Sequence, residues 1–418
     1  MTKPLKIPGL VNLHSHAFQR GFAGLTETRS HLSGDNFWSW RELMYRFANR
    51  ITPETLEAIA TWLYIEMLES GYTHVCEFHY LHHSADGTPY ANDAELLHCI
   101  IRAANTAGIG LTLLPVLYQS SGFGGAAPKA EQARFVRSTD SLLKLIESLA
   151  PLCKVGLALH SLRAVPPESL RDAVAGISAI APTAPIHIHI AEQAAEVAAC
   201  LAWSGQRPVA WLLDHAPVDA RWCLVHATHM DAAEIQRAAA TGAVAGLCPS
   251  TEANLGDGTF NLPAWESTDS FSGGAWGIGS DSHVCVNAAE ELMLLEYSQR
   301  LRLQQRNVAA SAAAPSVAAH MLHAAGVGGL RAAGLKTADL KTAGLNQLTG
   351  EVTLDTQHIA IAGLDEADML ASHVFASQRS SAIDGVWVGG VQRVFQGKHP
   401  LHHSAKAAFI QARKQLLA

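Results

Sequence analysis

Eight short, almost continuously apolar runs, separated by helical patterns, constrain this chain more than any other feature. They fall at 11–16, 72–80 (YTHVCEFHY), 111–118 (LTLLPVLY), 155–161 (VGLALHS), 185–190 (PIHIHI), 222–227 (WCLVHA), 243–248 (AVAGLC) and 276–280 (WGIGS). A run that is apolar on both faces belongs in a parallel sheet covered on both sides. The clearest intervening helix is 53–70. Thr52 is a fitting N-cap, Pro53 suits the first turn and Gly71 follows the last. Leu56, Ile59, Leu63, Met67 and Leu68 then form one apolar stripe. Further helical patterns occupy 138–150, 167–178, 231–240 and 288–304. Eight such units close into an α/β fold of the (β/α)8, TIM-barrel kind. The rival, a doubly wound open sheet, usually has fewer strands, and no G-x-G-x-x-G follows a run here.

Beyond the eighth unit the pattern changes. Residues 308–346 are rich in Ala and Gly, with a local echo in AAGLKTADLKTAGL, and read as weakly patterned helix and loop of tolerated surface variation. Residues 348–361 and 383–396 read as antiparallel strands, the second turning at Gly389-Gly390. Residues 404–417 read as a terminal helix. The expected organisation is therefore a barrel over 8–346, a small β domain over 347–400 and a C-terminal helix over 401–418.

In a barrel of this kind, chemistry sits at the C-terminal ends of the strands. The first run ends in His14 and His16, whose imidazoles alternation puts on one side. The fifth carries His187 and His189, with Glu192 three residues on. The sixth ends at His226, with His229 beyond it, and the eighth leads into Asp281 and His283. Four of eight runs thus end in metal-competent side chains. A catalytic metal needs about three or four N/O ligands and an open position for water. His14, His16, His189 and Asp281 suffice, leaving Glu192 and His226 to handle protons around Asp281. His189 is preferred to His187 because it lies nearer the mouth. His187 reads as a hydrogen-bonded core histidine, and His229 and His283 as supporting or surface groups.

The segments P-G-L-V-N-L-H-S-H, H-I-A-E-Q, V-H-A-T-H and G-S-D-S-H resemble the amidohydrolase superfamily. Within it, N-L-H-S-H-A-F-Q-R-G, F-W-S-W-R-E-L-M-Y and C-E-F-H-Y-L-H-H resemble the formimidoylglutamate deiminases of histidine degradation. The likeness covers residues 8–300 well and the rest loosely. It implies hydrolysis of a C=N bond by metal-activated water. Binuclear relatives bridge two metals from the fourth strand. Here that run ends H160-S-L-R163, with Lys154 at its far end. One divalent ion is expected, zinc first and iron second. The resemblance also assigns substrate contacts to Gln19, Arg41, Tyr80, His160 and Arg163. A guanidinium matches a carboxylate as a two-pronged fork, so the expected partner is a small molecule bearing carboxylates. Trp38 and Trp40 read as loop packing. Only about ten residues precede the first run, where relatives have several dozen. Either the start is placed late, or the small β domain is a remnant, in which case an uncovered sheet edge is expected.

Two other readings stay open: a nucleobase or thiomethyladenosine-type deaminase of the same superfamily, and an inactive metal-binding scaffold. Composition excludes other classes. The net charge of −7 with no basic tract argues against nucleic acid. No apolar run reaches the roughly 20 residues that span a bilayer, and the N-terminus lacks a signal-peptide core. Seven widely spaced cysteines without C-x-x-C indicate reduced thiols in a cytoplasmic protein. The resemblance further implies a homodimer.

Overall fold

The computed structural model describes residues 4–29, 37–268, 274–335, 344–345, 349–377 and 380–418, and of residues 37 and 38 the backbone only. Two sheets organise them. Strands β1 (Leu5–Pro8) and β2 (Leu10–Ser15) open the chain, followed by β3 (Tyr72–His79), β4 (Gly110–Leu117), β5 (Lys154–Val155), β6 (Leu157–Ser161), β7 (Ile186–Ile190), β8 (Trp222–His226), β9 (Val244–Leu247) and β10 (Ala275–Ile278). The strand order β10-β9-β8-β7-β6-β4-β3-β2 is parallel throughout, with β5 pairing β4 beside β6. This is the expected barrel, each strand within one or two residues of its run. The run at 155–161 alone is broken, at Gly156, into β5 and β6.

The barrel closes at one point. Beyond β10, Asp281 bridges Ser15 in parallel register. Its N–H donates to the His14 carbonyl at 3.0 Å, and His16 N–H donates back to the Asp281 carbonyl at 3.3 Å. Gly279 permits the approach, since a Cβ there would lie 2.8 Å from the His14 backbone nitrogen and oxygen.

The helices lie outside. Pro53–Glu69 begins at Thr52, whose hydroxyl accepts from Thr55 N–H in a capping box. Its face carrying Leu56, Ile59, Leu63, Met67 and Leu68 is fully buried. The Ala/Gly-rich stretch departs from expectation. Val317–Ala332 is a helix packed on the barrel rather than tolerated surface. A Cβ at Gly328 would sit 1.8 Å from the Trp276 carbonyl oxygen, so the small residues mark a close crossing of helix over β10. The echo AAGLKTADLKTAGL and the expected boundary at 346–347 lie largely outside the described residues.

The second sheet is antiparallel, in the order β1-β11-β12-β13, with β11 (Glu351–Leu354), β12 (Ile383–Val388) and β13 (Val391–Val394). Its first strand comes from the N-terminus, where the sequence showed too short a run to read. Leu5 to Pro8 pair with Leu354 to Glu351 and cover one side of β11. The expected strand at 348–361 is only four residues long, and a helix at Glu366–Ala376 intervenes before β12. The C-terminal helix His402–Leu417 packs against Pro53–Glu69. No helix among the described residues is long and apolar enough to cross a membrane. All seven cysteines are free.

Candidate active site

Three imidazoles converge at the C-terminal mouth. His14 Nε2 lies 3.1 Å from His16 Nε2 and 3.0 Å from His189 Nε2. Asp281 Oδ1 stands 3.5 Å from His14 Nε2 and 3.3 Å from His16 Nε2. Two of the rings have a determined tautomer. His16 Nδ1 lies 2.8 Å from the Phe78 carbonyl, and His189 Nδ1 lies 2.8 Å from the His160 carbonyl. A carbonyl cannot donate, so each Nδ1 carries the proton and each Nε2 turns a lone pair inward. Burial holds His14, His16 and His189 below the ordinary histidine range, in the neutral form a metal needs.

This donor set fits a divalent ion. Two ligands about 2.0–2.1 Å from zinc, at angles of about 90–110°, lie roughly 3 Å apart. His14, His16 and Asp281 form one group with ligand atoms within 4.8 Å of one another, and His14, His189 and His226 form another. His226 stands among acids. Its Nε2 is 3.8 Å from Glu192 Oε1 and 3.7 Å from Asp281 Oδ2, and its Nδ1 is 3.3 Å from Glu252 Oε1. Burial works against its charge, yet Glu192, Glu252 and Asp281 raise it to about 10. A doubly protonated ring has no lone pair for a metal and offers N–H at both nitrogens. Burial also pushes the Glu192 carboxyl up to about 7, with His226 pulling the other way.

The backbone around these groups is strained. Ala191, His226, Ala227, Asp281 and His283 adopt φ between 46° and 66°, unusual for residues with a Cβ. All five lie at the mouth, where the strand ends turn side chains inward. Ser280 and His283 brace the turn. Ser280 Oγ lies 2.6 Å from Asn12 Nδ2 and 2.9 Å from His283 Nδ1, and His283 Nε2 lies 3.3 Å from Ser15 Oγ. Glu77 on β3 accepts from Ser15 Oγ and Ala17 N–H, each at 2.6 Å, and pins the segment after His16. His283 is thus a buried brace. His229 bonds the Asp257 carbonyl at 2.8 Å, and His187 the Ala332 carbonyl at 2.8 Å.

A cleft opens above the histidines, and every sequence-selected substrate residue lines it: Gln19, Arg41, Tyr80, His160 and Arg163. Gln19 Nε2 donates to Tyr80 OH at 3.0 Å. Arg41, on the helix Phe37–Ala48, lies 5.6 Å over the Tyr45 ring. Trp40 also lines the cleft, contrary to its reading as loop packing, while the side chain of Trp38 lies outside the described residues. Sequence reasoning passed over Tyr45, Tyr118, Phe135 and Glu196, which also line it, and Glu252 beside His226. Tyr118 closes its run as Tyr80 does, so the strand-end rule could have found it. Tyr45 stands four residues after Arg41, one helical turn on.

The amidohydrolase family model matches residues 5–392. The chain is 48% identical over 417 residues to the formimidoylglutamate deiminase of Pseudomonas aeruginosa, covering 98% of this chain and 89% of that protein. It is 28% identical to an 8-oxoguanine deaminase of the same organism, over 75% of this chain and 67% of that one. Among solved structures, an amidohydrolase from Brucella melitensis superposes with a TM-score of 0.90 at 47% identity, covering 99% of this chain and 90% of that one. A zinc-bound adenosine deaminase from Xanthomonas campestris shares the fold, with a TM-score of 0.75 at 20% identity, over 99% of this chain and 86% of that one.

Proposed function

This chain belongs to the amidohydrolase family, and on that premise we propose that it hydrolyses N-formimino-L-glutamate to N-formyl-L-glutamate and ammonia, a cytoplasmic step of histidine degradation. The observation that carries this reading is the placement of Arg41 and Arg163 in one cleft with the histidine cluster. Two guanidiniums suit a substrate with two carboxylates. The near full-length likeness to a formimidoylglutamate deiminase supports it.

His14, His16, His189 and Asp281 would hold one divalent ion, zinc by preference. β6 ends in His160 and Ser161, and Lys154 lies at the opposite end of the barrel, so the fourth barrel strand brings no bridging group to a second ion. When bound, the ion lowers the pKa of water and draws electrons from the C=N group.

The protein's own groups do the rest. Water oxygen adds to the formimidoyl carbon, the bond to the terminal nitrogen breaks, and ammonia leaves. Asp281 turns Oδ1 to the histidines and Oδ2 to His226, so Oδ2 is placed to accept the water proton. Glu192, poised near neutrality, delivers a proton to the departing nitrogen. His226 donates its Nε2–H to the oxygen added at the reacting carbon, where charge develops. Arg41 and Arg163 hold the carboxylates, with Gln19, Tyr80 and His160 framing the chain between them.

The test is ammonia release by zinc-loaded protein over a panel of formimino amino acids and nucleobases. Turnover of formiminoglutamate alone is the expected result. Preference for a purine would transfer the reading to the ring deaminases, for which the aromatic wall would supply stacking. No turnover of any member would leave a metal-binding scaffold.

A further inference from the structure

The proposed cleft residues do not by themselves explain a side chain below them. Gln132, on the short 3-10 helix Ala130–Phe135, is fully buried. Its amide orientation follows from its neighbours. Lys129 backbone N–H can only donate, and it lies 2.8 Å from Oε1. Nε2 therefore faces the other way, donating to Tyr45 OH at 3.0 Å and to Tyr118 OH at 2.8 Å. Both amide hydrogens are used, one on each phenol oxygen.

The phenol hydrogens must then go elsewhere. Neither can return to Gln132, which offers these phenols only N–H. Both rings line the cleft, Tyr45 beneath the Arg41 guanidinium and Tyr118 within the fields of Arg41 and Arg163. The chain of bonds thus ends in an O–H available to the cleft, beside two cationic donors. Such a patch, rich in N–H and O–H donors, suits a carboxylate oxygen.

We propose that Gln132 is a positioning residue for substrate carboxylate recognition: by presenting only N–H to Tyr45 and Tyr118, it makes the pair donate a phenol hydrogen into the cleft alongside Arg41 and Arg163. This rests on the carboxylate-bearing substrate proposed above. Gln132 touches no substrate. It sets the direction of a hydrogen-bond chain that does.

Gln132→Glu is nearly isosteric but accepts where the amide donated, drawing both phenol hydrogens away from the cleft. Gln132→Met removes the donors without reversing the chain. Glutarate, bearing two carboxylates and no scissile bond, is the binding probe, measured by calorimetry on zinc-loaded protein. Glutarate binding should weaken about 5–50-fold in Gln132→Glu and less in Gln132→Met. KM for formiminoglutamate should rise in parallel, with kcat held within a few-fold. In a Tyr45→Phe, Tyr118→Phe background the Gln132 changes should add nothing further. A greater loss in Gln132→Met than in Gln132→Glu would indicate packing and overturn the proposal. So would wild-type glutarate binding in Gln132→Glu, a fall in kcat at constant KM, an undiminished effect in the double-Phe background, or failure of the parent protein to bind glutarate. If glutarate binding follows the expected order but formiminoglutamate is not turned over, the substrate assignment fails and the role of Gln132 stands.

Discussion

Replacing His226 by Asn should move a pH limb that belongs to another residue. In the native site the His226 cation stands 3.8 Å from Glu192 Oε1 and favours the Glu192 anion, against the burial that pushes its carboxyl up to about 7. Asn keeps a hydrogen-bonding head and removes the charge. At an effective dielectric of about 20, a unit-charge pair 3.8 Å apart is worth roughly 4 kcal/mol. That corresponds to about 3 pKa units, and solvent entering the vacated space should reduce it to about 1–3. The direction is fixed by sign. Losing a nearby cation disfavours the carboxylate, so Glu192 keeps its proton to higher pH. If protonated Glu192 serves the departing nitrogen, activity is present below its pKa and lost as pH rises through it. The alkaline limb of kcat/KM that Glu192 sets should therefore move upward in His226→Asn. The rate should also fall by about 10²–10⁴ through loss of the donor. The assay is ammonia release from formiminoglutamate across the pH range with zinc-loaded protein. A limb that stays put or moves down would refute the argument, as would an unchanged alkaline limb in Glu192→Gln.

The other predictions are briefer. Arg163→Met should cost about 1.5–3 kcal/mol, or roughly 10–150-fold in kcat/KM, mostly in KM, and lysine should rescue it poorly because it cannot form the fork. Steady-state kinetics on substrates lacking one or the other carboxylate would show which one it holds. Chelation should lower the melting temperature, since free metal at ~1,000 times Kd stabilises the fold by about 4 kcal/mol; His189→Ala should show a much smaller response. Because burial depresses the three histidines, the metal-dependent part of the stability should survive acidification below the ordinary histidine pKa. Gly328→Ala should destabilise the barrel by about 1–3 kcal/mol or more, as its Cβ would fall 1.8 Å from the Trp276 carbonyl oxygen; a urea midpoint equal to that of the parent would contradict the close crossing.

Much of this architecture was readable because parallel strands buried on both faces leave continuous apolar runs, and strand ends carry the reactive groups. His14, His16, His189, His226 and Asp281 were legible for that reason, each closing or following a run. What escaped depends on contacts distant in sequence. β1 spans only Leu5–Pro8 and becomes a strand by pairing with β11, some 340 residues later. The helix Val317–Ala332 has a weak apolar pattern because glycine and alanine let it approach β10 through backbone. Gln132 carries no motif at all. Its place is set by Tyr45 on one helix and Tyr118 after β4.

The closure of the barrel also imposes an order in time. Asn12 and Ser280, hydrogen-bonded beside the histidine cluster, are 268 residues apart in the chain. At synthesis rates of ~5–20 residues per second, the N-terminal histidine pair leaves the ribosome on the order of 15–50 s before the segment carrying Asp281. Until then β2 has no partner along the edge that β10 will occupy, and the nascent chain has at first two and, once His189 emerges, three imidazoles of the proposed four-ligand site. Imidazoles on a barrel that has not closed, without the carboxylate of Asp281, make a weaker chelator, so tight ion capture becomes one of the last events of biogenesis. Metal uptake then reports that the first and last strands have met, and a nascent chain stalled before residue 281 should hold its ion far more weakly than the finished protein.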